Sequence, residues 1–449
     1  MSFFGLLELR EPLLQFHYCK PNPRPRSIIK CKPFSYVTLK GYNLYVKLIT
    51  DEDSKDLAVK LVSHLKHGYK GEYLEYKAFS EIYGLTFHFD PSEDVVTINY
   101  DNYYDRIEDT VDKLKDAMDS KSRGIIIIIV KNLPTSMYYE TKSKSLVSYS
   151  KMNIRTQFAK KSTIETYVGK GGYEVLLLNM ATSIYAKAGG IPWKLAHPII
   201  PMEGLIVGIS FIRLRERKEE RERIYYGSIE ILDRYGEHLI TEARLFKAPK
   251  EALKTKGLYV PYDQMYRILK DAIEKYGKPP MLIIHKSSPY VIDEELKAIH
   301  DIIQEYSDLQ YSIMHLAVHI KGDTIYRLYD FGASDLSVNR GMALVDKFRQ
   351  NNWRIILFTT GRLLKSSVRR KLGTPKPLEL DVIENTGQLN AGTVAYQVLA
   401  LTKLDWNTTE MEIRKPITLK YSKRAAKLAV YTLSREKETM KIGDIRDLM

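Results

Sequence analysis

Four side chains in the first half of the chain are suited to holding a terminal phosphate. They are Lys187, which lies just before a Gly-Gly pair, and the upstream residues Tyr138, Lys142 and Gln157. A phosphate dianion needs cationic and N–H donors that converge from several sides, and an aromatic ring offers an unpaired base a face to stack on. These residue types therefore indicate a site that grips the end of a nucleic-acid strand. Each also has an ordinary explanation, since Lys-Ala-Gly-Gly commonly ends a helix and tyrosines commonly pack in cores.

A parallel sheet must position these residues. Residues 124–130 read Gly-Ile-Ile-Ile-Ile-Ile-Val, a β-branched run that predicts a strand buried on both faces. Ligands of open α/β sheets bind beyond the carboxyl ends of the strands, and residues 131–157 follow this end. Within them Tyr138 and Lys142 are four residues apart, so a helix would place both side chains on one face.

The rest of the first half predicts a small Rossmann-like domain. Residues 42–49 have the pattern of a strand, and apolar residues recur at helical spacing over 57–65 and 107–118. No Gly-x-Gly-x-x-Gly fingerprint follows a strand, so a dinucleotide cofactor is not supported. We expect a linker segment over 1–40 and this first domain over 41–190.

The second half predicts a ribonuclease H-like domain over 191–449. Three successive antiparallel strands are followed by alternating helices and strands, an order that fits a sheet of this type. The predicted strands are 205–213, 223–232, 237–246, 281–284, 312–320, 324–329 and 353–358, and the predicted helices are 265–273, 296–303 and 422–434.

Composition and charge point to a polyanionic partner. The chain has 449 residues with 69 Lys and Arg against 55 Asp and Glu, a net charge of +14 that attracts nucleic acid. Cys19 and Cys31 match no zinc spacing and make no disulfide framework, so reduced thiols in a cytoplasmic protein are expected. The longest apolar run, 125–130, is far short of the ~20 residues of a membrane helix. Any recruitment to a membrane would therefore need a partner.

Several segments together resemble the Argonaute family, in the short prokaryotic, archaeal form that consists of MID and Piwi domains. The order and spacing of these segments are more specific than any one of them, and the likeness covers nearly the whole chain. The segments are 11–16, 33–34, 187–193, 359–361, 373–377, 403–407 and 415–418. The chain is expected to be too short for the N-terminal and PAZ domains of long Argonautes.

The resemblance implies roles for the four phosphate-binding candidates. In the family pattern Tyr138, Lys142, Gln157 and Lys187 hold the 5′ phosphate of a guide strand in the MID domain. The family also uses the C-terminal carboxylate, here that of Met449, to hold a Mg²⁺ ion against the guide phosphates. The polar ligand expected before Lys187 is Ser183 in this register, with Asn179 further upstream, which leaves the Mg²⁺ site open.

The resemblance also implies that the Piwi domain does not cut. Ribonuclease H chemistry needs clustered carboxylates that hold two cations ~4 Å apart. The family's acidic positions correspond here to Ser210, Ser287 and Lys423, and a lysine would repel a dication. We therefore expect no catalytic residues. Basic residues of this domain are expected to contact guide and target backbones without reading sequence; they are Arg213, Arg340, Arg362, Lys376, Lys420 and Lys423, with Arg369 and Arg370 as further candidates.

The implied function is guided recognition without cleavage. A short guide, expected to be RNA, would pair with complementary invader nucleic acid, expected to be DNA. An APAZ-like partner and a separate effector would then carry out antiviral or anti-plasmid defence by killing or arresting the infected cell. Two alternatives stay open: a guided endonuclease with non-standard metal ligands, and a basic nucleic-acid-binding protein that uses no guide.

Overall fold

The chain folds into two compact units. A computed structural model describes residues 5–213, 222–308, 311–349, 352–363, 375–433 and 437–449. The first unit, here called the N-unit, comprises Leu14–Lys194 with Trp406–Glu410 and Arg446–Met449. The second, the C-unit, comprises Met1–Leu13, Leu195–Asp405 and Met411–Ile445. This division differs from the predicted domain bounds because most of residues 1–40, and two short segments near the C-terminus, belong to the N-unit.

The N-unit contains a parallel sheet with Rossmann-like connectivity. Its strand order is Thr86–His88, Asn43–Thr50, Ser122–Val130 and Ile154–Lys160, and Val95–Thr97 also pairs with Asn43–Thr50. All of these neighbours are parallel. The strand order reverses beside Asn43–Thr50, so ligands are expected at the carboxyl ends of these strands.

Helices on both faces bury this sheet. Residues 125–129 are at most 1% exposed, as the isoleucine run predicted. Ile107, Val111 and Leu114 of one helix pack with Ile126 and Ile128 in a shared core. The α-helices of the N-unit are Ile28–Cys31, Tyr36–Leu39, Lys55–His67, Phe79–Tyr83, Tyr103–Ala117, Thr135–Val147, Lys161–Lys170 and Tyr173–Lys187. Two short strands, Tyr69–Lys70 and Glu75–Tyr76, pair with each other.

The C-unit is built on one ten-stranded sheet. Its strands, in spatial order, are Gly5–Glu8, Met342–Arg349, Asn352–Leu357, Leu378–Asn385, Met314–Lys321, Met281–Lys286, Gly204–Arg213, Glu222–Leu232, His238–Pro249 and Thr439–Ile442. Gly204–Arg213 begins an antiparallel series through the next two strands and lies parallel to Met281–Lys286 on its other side. These are the three successive antiparallel strands that the sequence predicted for a ribonuclease H-like sheet.

Helices cover the two faces of this sheet differently. Met265, Ile268 and Ile299 of two helices share a core with Val207 and Ile284 of the strands. The helix Ile417–Thr432 packs on the opposite face, where a Cβ at Gly208 would lie 2.2 Å from the Thr418 carbonyl oxygen. Only glycine therefore lets this helix approach the strand so closely. The α-helices of the C-unit are Lys250–Lys256, Tyr262–Tyr276, Lys297–Tyr306, Ala391–Leu401 and Ile417–Thr432, and a π-helical turn spans Ile292–Leu296.

Three local expectations were wrong. Residues 324–329 form no strand; Tyr326 and Leu328 instead pack as irregular chain against a small cluster around Phe358. The last α-helix begins at Ile417, directly after Pro416, whereas the predicted start was residue 422. Cys19 and Cys31 are joined in a disulfide, because backbone hydrogen bonds such as Tyr18 N to Cys31 O (3.0 Å) bring the two segments together.

Within the residues that the structure describes, no helix combines the length and apolar character that a bilayer span requires.

Candidate functional site

The four phosphate-binding candidates lie on three neighbouring elements of the N-unit. The helix Thr135–Val147 starts after Pro134 and carries Tyr138 and Lys142 one turn apart. Gln157 lies on the strand Ile154–Lys160. Lys187 is the last residue of the helix Tyr173–Lys187, which ends where Gly189 adopts a positive φ of 104°. The glycine pair thus follows the end of a helix, as the ordinary explanation predicted, and this helix end also positions Lys187.

Two buried ammonium groups converge on the same backbone carbonyl. Lys187 Nζ donates to Thr156 O at 2.9 Å and to Gln157 Oε1 at 2.6 Å. Lys142 Nζ donates to Thr156 O at 3.3 Å. Lys142 is 6% exposed and Lys187 is 2% exposed. The structure therefore brings Lys142, Gln157 and Lys187 together, and the arrangement concentrates positive charge where a phosphate could accept hydrogen bonds.

Tyr138 lies at a cavity of about 760 Å³ beyond the carboxyl ends of the strands. Its ring meets the Phe158 ring edge to face, with centroids 4.7 Å apart. The Lys142 Nζ lies 5.7 Å from the centroid of the same Phe158 ring, so this ring connects the cavity to the lysine pair. The cavity is lined by Tyr100, Ile128, Val130, Lys131, Asn132, Leu133, Pro134, Thr135, Tyr138, Tyr139, Phe158, Ala159, Lys160 and Ser162. It has the size and the mixed aromatic and polar lining of a small-ligand pocket.

Sequence reasoning missed an ion pair that anchors the last residues of the chain to this site. Arg155 Nε lies 2.7 Å from Asp447 Oδ1, and its Nη1 donates to the Lys187 carbonyl at 2.9 Å. Cations next to the last carbonyls of a helix are favourable. Arg155 lies two residues before Gln157, but nothing in its spacing indicates a partner almost 300 residues away.

Ser183 and Asn179 occupy different surroundings. Ser183 Oγ donates to Gln157 Oε1 at 3.1 Å and so belongs to the site. Asn179 Oδ1 accepts instead from the backbone N–H and the hydroxyl of Thr409, each at 2.7 Å. Of the two residues considered for a metal, Ser183 is therefore the one that the structure brings to Gln157.

The donor set fits Mg²⁺ only together with an anionic oxygen. Gln157 and Ser183 supply neutral oxygens, and a hard dication binds oxygen ligands with at least one carboxylate or phosphate among them. The Asp447 carboxylate is paired with Arg155. The anionic oxygen would come from a bound phosphate or from the carboxylate of Met449, a residue that is 6% exposed.

The three positions at which the resemblance places nuclease acids have separate surroundings in the C-unit. Ser210 is 1% exposed, and its hydroxyl accepts from Ser422 Oγ at 2.8 Å and donates to Leu419 O at 3.3 Å. Ser287 is exposed just after its strand. Lys423 is exposed on the helix Ile417–Thr432. Both hydrogen bonds of the Ser210 hydroxyl are therefore made with the helix Ile417–Thr432.

A buried acid near Ser210 was not anticipated. Glu230 lies on the adjacent strand, on the same face of the sheet, and is 0% exposed. Neither of its carboxyl oxygens has a hydrogen-bond partner among the described residues. Burial raises its pKa well above the usual value, so the neutral acid is favoured. A neutral carboxylic acid does not attract a dication.

The candidates for backbone contacts fall into three groups. The expectation that Arg340 contacts a nucleic acid is wrong. Its side chain is 1% exposed, pairs with Glu11 at 3.0 Å and donates to Thr402 Oγ1 at 2.7 Å. Arg340 therefore forms an internal ion pair. Arg213 and Lys423 are exposed. The remaining three are paired with acids: Lys376, which is exposed, with Asp323, and the partly exposed Arg362 and Lys420 with Asp330 and Asp405. Arg369 and Arg370 lie outside the described residues.

The strand orders define the class of protein: an α/β protein that combines a Rossmann-like unit with a ribonuclease H-like sheet. The sequence profile of the Piwi domain matches residues 124–434. This match covers well over half of the chain, and the chain therefore belongs to the Piwi domain family. A "Protein argonaute" of Cereibacter sphaeroides (strain ATCC 17025 / ATH 2.4.3) is 20% identical over 309 residues, which are 65% of this chain and 37% of that protein.

Solved Argonaute structures share the fold. Clostridium butyricum Argonaute bound to a guide DNA (5′ deoxycytidine) and a 19-mer target DNA matches with a TM-score of 0.65 and 16% identity, over 98% of this chain and 55% of that one. A. aeolicus Argonaute matches with a TM-score of 0.62 and 18% identity, over 99% of this chain and 55% of that one. The chain thus spans about half the length of these structures and about a third of the C. sphaeroides protein. The fold class predicted from sequence is confirmed, as is the resemblance to Argonautes.

Proposed function

We propose that the chain binds the 5′-phosphorylated end of a short guide strand in the N-unit. The observation that carries this proposal is the convergence of the Lys142 and Lys187 ammonium groups on the Thr156 carbonyl, beside Gln157 Oε1, which also accepts from Lys187. The guide phosphate would accept hydrogen bonds from both ammonium groups, and such charge-assisted bonds are about twice as strong as neutral ones. A bound Mg²⁺, if held by Gln157, Ser183 and the Met449 carboxylate, would neutralise part of the phosphate charge.

The first base of the guide would enter the cavity beside Tyr138. The cavity of about 760 Å³ is large enough for a nucleobase and is lined by several rings, which suits stacking. Residues 131–135 line the same cavity and would contact the edge of that base. Because the base would be taken out of the duplex, it would not pair with a target.

The guide is proposed to be RNA and the target invading DNA. The net charge of +14 favours a partner with many phosphates. Sequence would be read by base pairing between the strands, while the protein contacts backbones. Arg213 and Lys423, both exposed, are the backbone contacts that the C-unit supports best.

The C-unit is proposed to hold a duplex without cutting it. The positions at which the resemblance places the family's acids carry Ser210, Ser287 and Lys423, and the buried acid near Ser210, Glu230, is favoured in its neutral form. Two-cation catalysis needs several ionised carboxylates at one place. The response to a target would therefore come from an APAZ-like partner and a separate effector, in a cytoplasmic defence system that kills or arrests the infected cell.

Purification of the chain with whatever it carries tests the proposal. Sequencing of bound strands should give a narrow length distribution with uniform, phosphorylated 5′ ends, and mass spectrometry should find a co-purifying protein. A broad mixture of lengths and ends would favour a guide-independent basic binder.

A cleavage assay tests the enzymatic alternative. Guide-loaded protein with labelled complementary target and Mg²⁺ or Mn²⁺ should leave the target intact. Ser210→Asp alone should also fail to cut, because two further ligand positions lack acids. Guide-dependent cleavage that Glu230→Gln abolishes would show instead a nuclease with non-standard ligands.

A further inference from the structure

Three potential metal ligands meet in the C-unit, and none of them belongs to the sites described above. His300 lies on the helix Lys297–Tyr306, His315 on the strand Met314–Lys321 and Glu384 on the strand Leu378–Asn385. Glu384 Oε2 lies 2.7 Å from His315 Nε2 and 2.9 Å from His300 Nε2. The three ligand atoms all lie within 4.8 Å of one another. Three separate elements thus direct two imidazoles at one carboxylate.

The inner histidine is held in place by its neighbours. His315 is 5% exposed. Its Nδ1 lies 3.1 Å from Thr386 Oγ1, and its backbone N–H donates to the same oxygen at 2.7 Å. Histidines that bind metals typically use one ring nitrogen for the ion and the other for such an orienting hydrogen bond. The ring of His315 is therefore fixed with Nε2 towards Glu384 and His300.

We propose that His300, His315 and Glu384 bind a divalent transition-metal ion of the Zn²⁺ class. Imidazole nitrogen suits Zn²⁺ and its transition-metal neighbours, whereas Mg²⁺ and Ca²⁺ prefer oxygen ligands throughout. Two histidines and one carboxylate are a known zinc ligand set, in which water completes the tetrahedron. The half-exposed side chain of His300 leaves room for that water.

The separations require a small outward movement when the ion enters. Ligands ~2.1 Å from a tetrahedral ion lie roughly 3.4 Å apart, whereas the nitrogen–oxygen distances are 2.7 and 2.9 Å. His300 can make this adjustment because its side chain is 52% exposed on the helix surface. His315 and Glu384 would keep their backbone positions in the sheet, and a rotation of the partly exposed Glu384 side chain would widen its 2.7 Å separation from His315.

The site would brace the sheet and would not take part in nuclease chemistry. His315 pairs with Leu282 of the strand Met281–Lys286. His285 lies three residues after Leu282 on that same strand and pairs with Gly208 of the next strand. Because side chains alternate along a strand, His315 projects from the face opposite to that of Gly208 and Ser210. An ion there would link the helix Lys297–Tyr306 to two strands of the sheet.

Metal binding to the full chain, stripped with EDTA and free of nucleic acid, tests this proposal. Calorimetric titration with Zn²⁺ should give one ion per chain, and Co²⁺ should give the intense visible absorption of tetrahedral coordination. His300→Gln and Glu384→Gln should each weaken Zn²⁺ binding by at least about 100-fold, beyond the loss of ~10–100-fold typical of outer partners. Zn²⁺ should raise the melting temperature of the wild type but not of His300→Gln.

His197→Gln is the matched control, because His197 is an exposed histidine of the same unit outside the cluster. It should bind Zn²⁺ as the wild type does. The proposal is overturned if the wild type takes up no Zn²⁺, or if His300→Gln binds as tightly as the wild type. His300→Gln decides the matter even if Glu384→Gln fails to fold, since an exposed helix position tolerates glutamine. The readout contains no guide or target, so it is independent of the proposed function.

Discussion

Replacing Lys142 and Lys187 with methionine removes both charges from the proposed phosphate site. Both side chains are almost fully buried, so methionine, which has a similar length and is apolar, keeps most of the packing that alanine would lose. The substitutions leave Thr156 O and Gln157 Oε1 without the ammonium donors that they have in the wild type. The expected effect is a selective loss of affinity for guides that carry a 5′ phosphate.

The magnitude follows from the hydrogen bonds at stake. A hydrogen bond to a charged group contributes about 1.5–3 kcal/mol, so each single variant should weaken binding of a phosphorylated guide by roughly 10- to 100-fold. Both lysines donate to Thr156 O, and such neighbours are not additive. The double variant should therefore lose more than either single variant and less than the product of the two single effects.

Fluorescence anisotropy with two labelled oligonucleotides measures this effect. The strands share one sequence and differ only in a 5′ phosphate or a 5′ hydroxyl, and the salt concentration is held constant because backbone binding depends on it. Lys144→Met is the matched control, since Lys144 lies on the same helix, is exposed and pairs with Glu108 at 2.8 Å. It should keep the wild-type preference for the phosphorylated strand.

The ratio of the two affinities decides the outcome. In the wild type it should be large, and in the double variant it should approach one. Equal losses for both strands would refute the phosphate assignment and would indicate a purely structural role for the lysines. A urea titration without nucleic acid checks that the variants fold, because unpaired buried acceptors cost about 1–3 kcal/mol of stability.

Three further predictions concern other parts of the molecule. Tyr138→Leu should weaken binding of phosphorylated and hydroxyl strands alike, by the ~1–3 kcal/mol of one stacked base, whereas Tyr138→Phe should bind like the wild type in the same anisotropy assay. Burial raises the pKa of Glu230, so the folded state keeps a proton that the unfolded chain releases once the pH exceeds the ordinary pKa of a glutamate. The free energy of unfolding should therefore fall as the pH rises above that ordinary pKa, and Glu230→Gln should flatten the decline in urea titrations, which an unchanged slope would contradict. Arg340→Met should destabilise the protein by ~3–5 kcal/mol in urea titrations, because it breaks a buried ion pair. Lys423→Met should leave stability unchanged and reduce the salt dependence of nucleic-acid binding by about one phosphate contact. Unchanged stability of Arg340→Met together with weaker salt dependence would instead make Arg340 a surface contact.

The sequence was sufficient for features that depend on near neighbours along the chain. The isoleucine run at 125–129 marked a doubly covered strand because burial on both faces demands apolar residues at every position. The four-residue spacing of Tyr138 and Lys142 predicted one helical face, and both lie on the helix Thr135–Val147. The prediction of a strand at 324–329 was wrong, because apolar residues such as Tyr326 and Leu328 can also pack when the chain is irregular.

Only the tertiary structure decided which distant residues meet. The sequence around Arg340 is typical of a surface arginine, whereas in the structure its side chain is buried in an ion pair with Glu11, which is distant in sequence. Asp447 reaches Arg155, and His300 reaches Glu384, through packing that no local pattern encodes. The periodicity of apolar residues in a segment reflects which of its faces are buried. Contacts between residues far apart in sequence depend instead on the order and register of whole strands. The sequence therefore predicted the residue types of a phosphate site, but only the tertiary structure showed the hydrogen bonds among those residues.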